Sequence, residues 1–317
     1  MSFFSYNHTM KENILYAYHI HVDQIKEYKE YSVFSWNHKT YYFTKVRRTQ
    51  EEYQELLDVI QELEQKKIPI LPFITNVYGS YLTQVQNEVY VLIEVDNPFH
   101  EYNLVDMLER NKSVVLNSKK NHLYRNEWGN LWSQKVDYLE YQVSEMGKKY
   151  PIIVNSFSYF VGLAENAISY ANHVTRTIKI PNSPIVLSHK RVGFPNYRLN
   201  YDNPLSFIFD LEVRDVAEYL KNMVFQEEEL PLVELKAYID LRHPDLYNLS
   251  MLYARLLYPS YYFDLHEKII NEDEKEEVLL PIIDSISKQE IFLKKAWLLI
   301  REYVPIEPID WIIKKEL

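Results

Sequence analysis

The succession of patterns along the chain predicts an α+β fold in two lobes, a small β-rich one followed by a large helical one. Three observations carry this. Runs rich in β-branched and aromatic residues fill the chain to about residue 96. After Asn97-Pro98 the apolar residues recur at helical spacing. Two short strands near 184–210 interrupt the helical part and form a small β-insert. The lobes are accordingly placed at 1–96 and 97–317. A doubly wound sheet would need repeated strand–helix alternation, which this order lacks.

Residues 13–46 read as β-rich. Within them, residues 31–36, the polar turn Asn37-His38-Lys39 and residues 40–46 form a hairpin pattern. Thr49-Gln50-Glu51-Glu52 is a capping box, in which a hydroxyl satisfies an orphan N–H at a helix start. Tyr53, Leu56, Leu57, Ile60 and Leu63 follow at helical spacing, and Ile68-Pro69 lies beyond the end. Segments 78–85 and 89–95, joined by Gln86-Asn87-Glu88, give a second hairpin.

Helical patterns then run near 101–111, 131–148 and 151–173. Residues 156–173 are apolar on most of their circumference, which suits a buried central helix. Past the β-insert, helices are expected over 213–225, 231–241, 246–257, 260–271, 281–286 and 288–303. The acidic run 271–277 reads as a solvated loop.

The chain has 317 residues, 47% of them hydrophobic and 25% charged, enough for a substantial core in two lobes. A net charge of −10 argues against nucleic acid and against an anionic membrane surface as partners. With no cysteine, disulfides and thiolate metal sites are excluded, and an intracellular origin is expected. The N-terminal residues lack the basic and apolar regions of a signal peptide, and no run of about 18 apolar residues offers a membrane span. Tyrosine is abundant, with 28 residues, which suits amphipathic surfaces or oxidative cross-linking in an assembled layer.

The chemistry concentrates in 184–221. A short apolar run delivers Ser188-His189-Lys190-Arg191, with Asn196 five positions after Arg191. A second run ends at Asp210, and Asp215 opens an amphipathic helix. This is the layout of a phosphotransferase catalytic loop, and with the two-lobe order it makes the plan protein-kinase-like. Such enzymes place an Asp where Arg191 stands, to accept or orient the proton of the attacking hydroxyl. A guanidinium stays protonated and has no lone pair to offer, so Arg191 cannot be that base.

Other positions fit the same plan in part. Lys45 ends the third strand just before the capped helix, where a kinase lysine contacts phosphates and pairs with a helix glutamate, for which Glu55 is well placed. It reads equally as a surface charge. No glycine occurs between residues 13 and 40, so the usual close approach of backbone to a triphosphate is absent. Asn196 could ligate magnesium through its amide oxygen, or serve as a turn residue after Pro195. Asp210 reads either as a metal-binding Asp or as part of a later segment leading into the helix. His189 and Asp215 read as structural, the first holding the loop and the second bracing it from a helix start. His19, His21 and Asp23 would share a strand face, a weak metal pattern.

Four segments resemble the CotS-type spore coat proteins of endospore-forming bacteria, most closely the YutH branch. They are YFTKVRRTQEEYQELL (42–57), SFSYFVGLAENAISY (156–170), DLEVRDVAEYL (210–220) and RLLYPSYYFDLHEKII (255–270). The resemblance implies an aminoglycoside phosphotransferase-like fold. It further implies a coat-associated protein made in the mother cell cytoplasm, with other spore coat proteins as partners. Small-molecule kinases read His-Gly-Asp where this chain reads His189-Lys190-Arg191. The expectation is therefore a pseudokinase with a structural or interaction role in coat assembly and no required cofactor, Lys45, Glu55, Asn196 and Asp210 being vestiges of an ATP and magnesium site. Two other readings stay open: an active small-molecule kinase with relocated groups, and a nucleotide-binding module without turnover.

Overall fold

The computed structural model describes residues 3–113, 122–179, 185–272 and 274–314. In chain order the first elements are α1 (Phe3–Tyr18), β1 (Lys26–Tyr28), β2 (Tyr31–Trp36), β3 (Lys39–Lys45) and α2 (Gln50–Gln65). Then come β4 (Phe73–Ile74), β5 (Thr83–Val85), β6 (Glu88–Val95), α3 (Leu104–Ser113), α4 (Trp128–Met146) and α5 (Pro151–Thr177). The β-insert holds β7 (Ile185–His189), α6 (Arg198–Tyr201) and β8 (Phe207–Leu211). Helices α7 (Val213–Gln226), α8 (Leu232–Arg242), α9 (Leu246–Leu257) and α10 (Ser260–Glu272) follow. The last elements are α11 (Leu280–Asp284), α12 (Ile286–Arg301) and α13 (Asp310–Ile313).

The chain divides into two compact units. One holds the described residues within Met1–Tyr102, Leu116–Leu123 and Asn196–Phe207; the other holds those within Asn103–Val115, Tyr124–Pro195 and Ile208–Leu317.

The first unit is built on an antiparallel sheet in the order β1-β2-β3-β6-β4, with β5 also on β6. Its hairpins are tight. Trp36 pairs with Lys39 across Asn37 and His38, whose φ values of 49° and 62° match the two left-handed positions of a two-residue turn. On α2, the Thr49 hydroxyl accepts the Glu52 N–H at 3.2 Å, and Tyr53, Leu56, Val59, Ile60 and Leu63 are buried. Arg48 donates to the carbonyls of Leu205 (2.7 Å) and Phe207 (2.5 Å), which ties the start of α2 to the segment after α6.

The N-terminal region corrects the β-rich reading of 13–46. Residues 3–18 are helical, and α1 stops at His19, whose φ is 55°. Its aromatic and branched residues suggest a strand, yet Met10 and Ile14 lie one turn apart and join Phe34, Phe43 and Leu92 in one apolar cluster. Burial of that stripe overrides local propensity. Residues 78–81 are likewise a turn rather than strand, organised by Asn76, whose Oδ1 accepts the N–H groups of Tyr78 and Ser80.

The second unit is helical around α5. Eleven α5 residues are buried, among them Phe160, Ala164 and Ala171, as befits a helix packed on several sides. Gly129 on α4 allows α5 close, since a Cβ there would meet Asn172 Oδ1 at 2.1 Å. The two-stranded β7–β8 sheet lies in the expected 184–210 region. It ends directly at α7, with only Glu212 between β8 and the helix. That junction places Asp210, Arg214 and Asp215 around the end of β7.

Candidate functional site

β7 carries His189 to the start of α7. The His189 backbone N–H donates to Asp215 Oδ1 at 3.0 Å, and its Nδ1 lies 2.6 Å from Asp215 Oδ2. Both residues are buried. Arg214, one residue earlier, clasps the same loop by donating Nε to the His189 carbonyl (2.9 Å) and Nη2 to the Lys190 carbonyl (3.1 Å). The loop backbone is thus held by one carboxylate and one guanidinium from the first turn of α7.

Asp210 is fully buried, and three protein donors hold its carboxylate. Oδ1 accepts from Trp128 Nε1 (3.0 Å) and the Leu211 N–H (2.7 Å); Oδ2 accepts from Trp128 Nε1 (3.0 Å) and Arg214 Nη1 (2.8 Å). The single Trp128 N–H is shared between both oxygens, so three donors, from Trp128, Leu211 and Arg214, hold the carboxylate. Burial raises its pKa, with Arg214 and Arg255 opposing the rise.

Arg191 leaves β7 for solvent and makes a two-pronged ion pair with Asp264 of α10. Nε and Nη2 each meet a carboxylate oxygen, the Nη2–Oδ1 contact being 2.5 Å, while Nη1 donates to the Lys190 carbonyl at 2.7 Å. Arg191, a protonated guanidinium with donors only, cannot accept a proton from a substrate hydroxyl.

In the first unit, Lys45 Nζ pairs with Glu88 Oε1 at 2.7 Å, both about half exposed. Expected as the lysine's partner, Glu55 instead receives the His122 and Leu123 backbone N–H groups on Oε2 (2.9 and 3.1 Å) and the His122 ring on Oε1 (2.9 Å). The physical reason is proximity along the sheet: β3 and β6 are neighbours, and Lys45 sits opposite Tyr90, near Glu88. Asn196 is buried, and neither its amide nitrogen nor its amide oxygen has a protein partner. His21 and Asp23 lie 3.5 Å apart at the surface and outside any strand. Among the described residues, no three or more His, Asp or Glu side chains are grouped to hold a metal.

The second unit also contains a half-open cavity of about 240 Å³ that no sequence motif announced. Its rim carries Arg125, Leu131, Lys135, Arg191 and Asp264, and its floor includes Trp128, Trp132, Arg214, Arg255 and Tyr258. Arg125 is set there by the backbone, since its N–H donates to the Phe209 carbonyl on β8 at 2.9 Å. The rings of Trp128, Trp132 and Tyr258 form a continuous stack, with centroids 5.3 and 4.3 Å apart, and the Arg255 guanidinium lies 5.2 and 5.5 Å from the two indoles.

Behind the floor lies a buried charge cluster. Glu218 of α7 binds Arg255 (2.8 Å), Lys221 Nζ (3.0 Å) and the Ser260 hydroxyl (3.0 Å). Burial alone would raise its pKa, but Lys221 and Arg255 hold the carboxylate well below the usual range. Burial pulls Arg255 down to about 10, and the like charge of Arg214 adds to the fall. One sequence signal could have located this cluster: Arg255 stands in the otherwise apolar helix LYNLSMLYARLL, where a cation must be buried and partnered.

This architecture matches known kinases. An aminoglycoside phosphotransferase from Alicyclobacillus acidocaldarius is similar with a TM-score of 0.63 at 9% identity, over 90% of this chain and 95% of that one. A microcompartment-associated aminopropanol kinase gives 0.58 at 10% identity, over 93% and 98%. A spectinomycin phosphotransferase in an AMP-bound complex gives 0.55 at 12% identity, over 98% and 99%. At these identities the likeness establishes the bilobal kinase-like fold. In sequence, the endospore coat-associated protein YutH of Bacillus subtilis (strain 168) is 24% identical, over 90% of this chain and 92% of the relative. The family described as "Spore coat putative kinase YutH" matches residues 11–313. The chain therefore belongs to the YutH family of spore coat proteins, built on an aminoglycoside phosphotransferase-like kinase fold.

Proposed function

We propose that this protein is a pseudokinase of the spore coat, made in the mother cell and acting in coat assembly through structure and interaction rather than phosphoryl transfer. One observation carries the reading: the loop position that needs a proton acceptor holds Arg191, locked to Asp264. Two further features support it. Three protein donors, Trp128, Leu211 and Arg214, already hold the Asp210 carboxylate, so a magnesium ion would have to compete with them. Lys45 is engaged by Glu88 and Glu55 by the His122–Leu123 backbone, so the lysine–glutamate pair of an assembled kinase lobe is not made. These residues do not fit a magnesium–nucleotide site as they stand.

A genetic comparison tests the role. Spores lacking the protein should show an altered coat protein profile. Spores carrying Lys45→Ala should be indistinguishable from wild type, because no nucleotide contact is needed. If the Lys45→Ala spores reproduce the deletion defect while the protein accumulates normally, the pseudokinase reading fails.

The unpartnered, buried amide of Asn196 favours a second reading, in which a ligand is held without turnover. In that case Asn196→Leu should abolish any Mg-ATP-dependent rise in Tm. If wild type shows no such rise, this second reading is finished.

A further inference from the structure

The cavity in the helical unit asks for negative charge. Five cationic side chains line it, Arg125, Lys135, Arg191, Arg214 and Arg255, against one carboxylate, Asp264. That carboxylate is already held by Arg191 on both oxygens. The other acidic groups nearby are likewise committed: Asp210 to Trp128 and Arg214, Glu218 to Arg255 and Lys221, and Glu267 to Lys135.

Arg255 shows what is left over. Its Nε and Nη2 both converge on one oxygen, Glu218 Oε1, at 2.8 Å, and the side chain is buried. A guanidinium carries five N–H donors, more than one carboxylate oxygen can take, and the like charge of Arg214 lies close beside it. Burial is the larger cause that pulls Arg255 down to about 10, and the like charge of Arg214 adds to it.

The rest of the lining sets the kind of anion. The Trp128–Trp132–Tyr258 stack, with Leu131 at the rim and Phe263 below, gives a flat apolar wall. A volume of about 240 Å³ falls just under the roughly 300 Å³ at which ordinary small-ligand sites begin, so one ring or a short chain would fill it. The cavity faces solvent on the side of Leu131 and Arg191, both exposed.

We propose that this cavity is a binding site for a small organic oxyanion, a carboxylate or phosphate group carried on a flat apolar body. The oxyanion meets the donors of Arg255, Arg125 and Lys135, while the body lies against the aromatic wall. The proposal stands apart from the nucleotide question, because every residue in it belongs to the helical unit and no magnesium or ATP is needed.

The test uses the full-length protein without nucleotide or magnesium, with phenyl phosphate, phthalate and neutral benzamide as probes. Binding is followed by tryptophan fluorescence and by Tm. At least one of the two anions should give a saturable fluorescence change and a raised Tm, and benzamide should give neither. Which anion does so identifies the source of the oxyanion. Arg125→Ala combined with Lys135→Ala, both at the rim, should leave circular dichroism unchanged and weaken binding at least tenfold, which corresponds to about 1.4 kcal/mol. Trp132→Phe should reduce the fluorescence change while a Tm rise persists. No saturable signal from either anion up to about 10 mM, where even millimolar binding raises Tm, would overturn the proposal. Undiminished affinity in the folded rim variant would overturn it equally.

Discussion

Arg191, in the loop that follows β7, and Asp264 of α10 are joined by two parallel contacts. The surrounding frame is intact: His189 is fixed by Asp215, and the loop carbonyls are fixed by Arg214. On the pseudokinase reading we propose, the loop keeps its support and carries a cation in place of a working residue.

Restoring an acid at that position should not restore an enzyme. Arg191→Asp would face Asp264 with a like charge, and both positions are partly exposed. We expect a loss of about 1 kcal/mol of stability by urea denaturation, within the range for surface pairs. ATP turnover should stay at background in a coupled assay. A clear Mg-ATP turnover in this variant would show that only the base was missing.

The buried cluster behind the cavity should matter far more to stability. Glu218→Gln removes the carboxylate that binds both Arg255 and Lys221 in the interior, and all three side chains are almost wholly buried. The expected cost is about 3–5 kcal/mol, read from the shift in denaturant midpoint. A change under about 1 kcal/mol would mean that water reaches the cluster and screens it.

His266 sets an acid limit on the fold. It is fully buried against Phe157 and Tyr262, and neither ring nitrogen has a hydrogen-bond partner. Burial, with a smaller contribution from Lys135, lowers its pKa from 6.5 to about 4. The unfolded chain therefore binds a proton that the folded chain refuses between those values. Stability from the neutral ring is complete above about pH 6.5 and falls as the pH drops toward 4, by roughly 3 kcal/mol in all. His266→Phe should flatten that part of the stability–pH curve and keep the Tm at pH 7.5 within a few degrees. An unchanged acid slope would remove His266 as its source.

Much of this architecture was legible in the sequence, and the exceptions have physical causes. The Thr49 cap, the Asn37-His38 turn and the helical spacing through the C-terminal lobe are local signals, and the structure follows them closely. The first helix was missed because its aromatic and branched residues favour strand locally, while its burial depends on Phe34, Phe43 and Leu92 far along the chain. Arg191 could be identified by spacing alone as the wrong residue for a base. Its partner Asp264, 73 residues away on α10, could not, since nothing in a single sequence pairs distant charges. The cavity was hidden for the same reason: its cations come from the segment before α4, from α4 itself, the loop after β7, α7 and α9, and only the fold brings them together.

The most direct test of the pseudokinase account is the Tm of the purified protein with and without millimolar Mg-ATP, measured beside Lys45→Ala. The account predicts the same shift, or none, in both proteins, because Lys45 belongs to Glu88 and holds no phosphate. A Mg-ATP-dependent rise in wild type that disappears in Lys45→Ala would contradict it and return the protein to the working kinases.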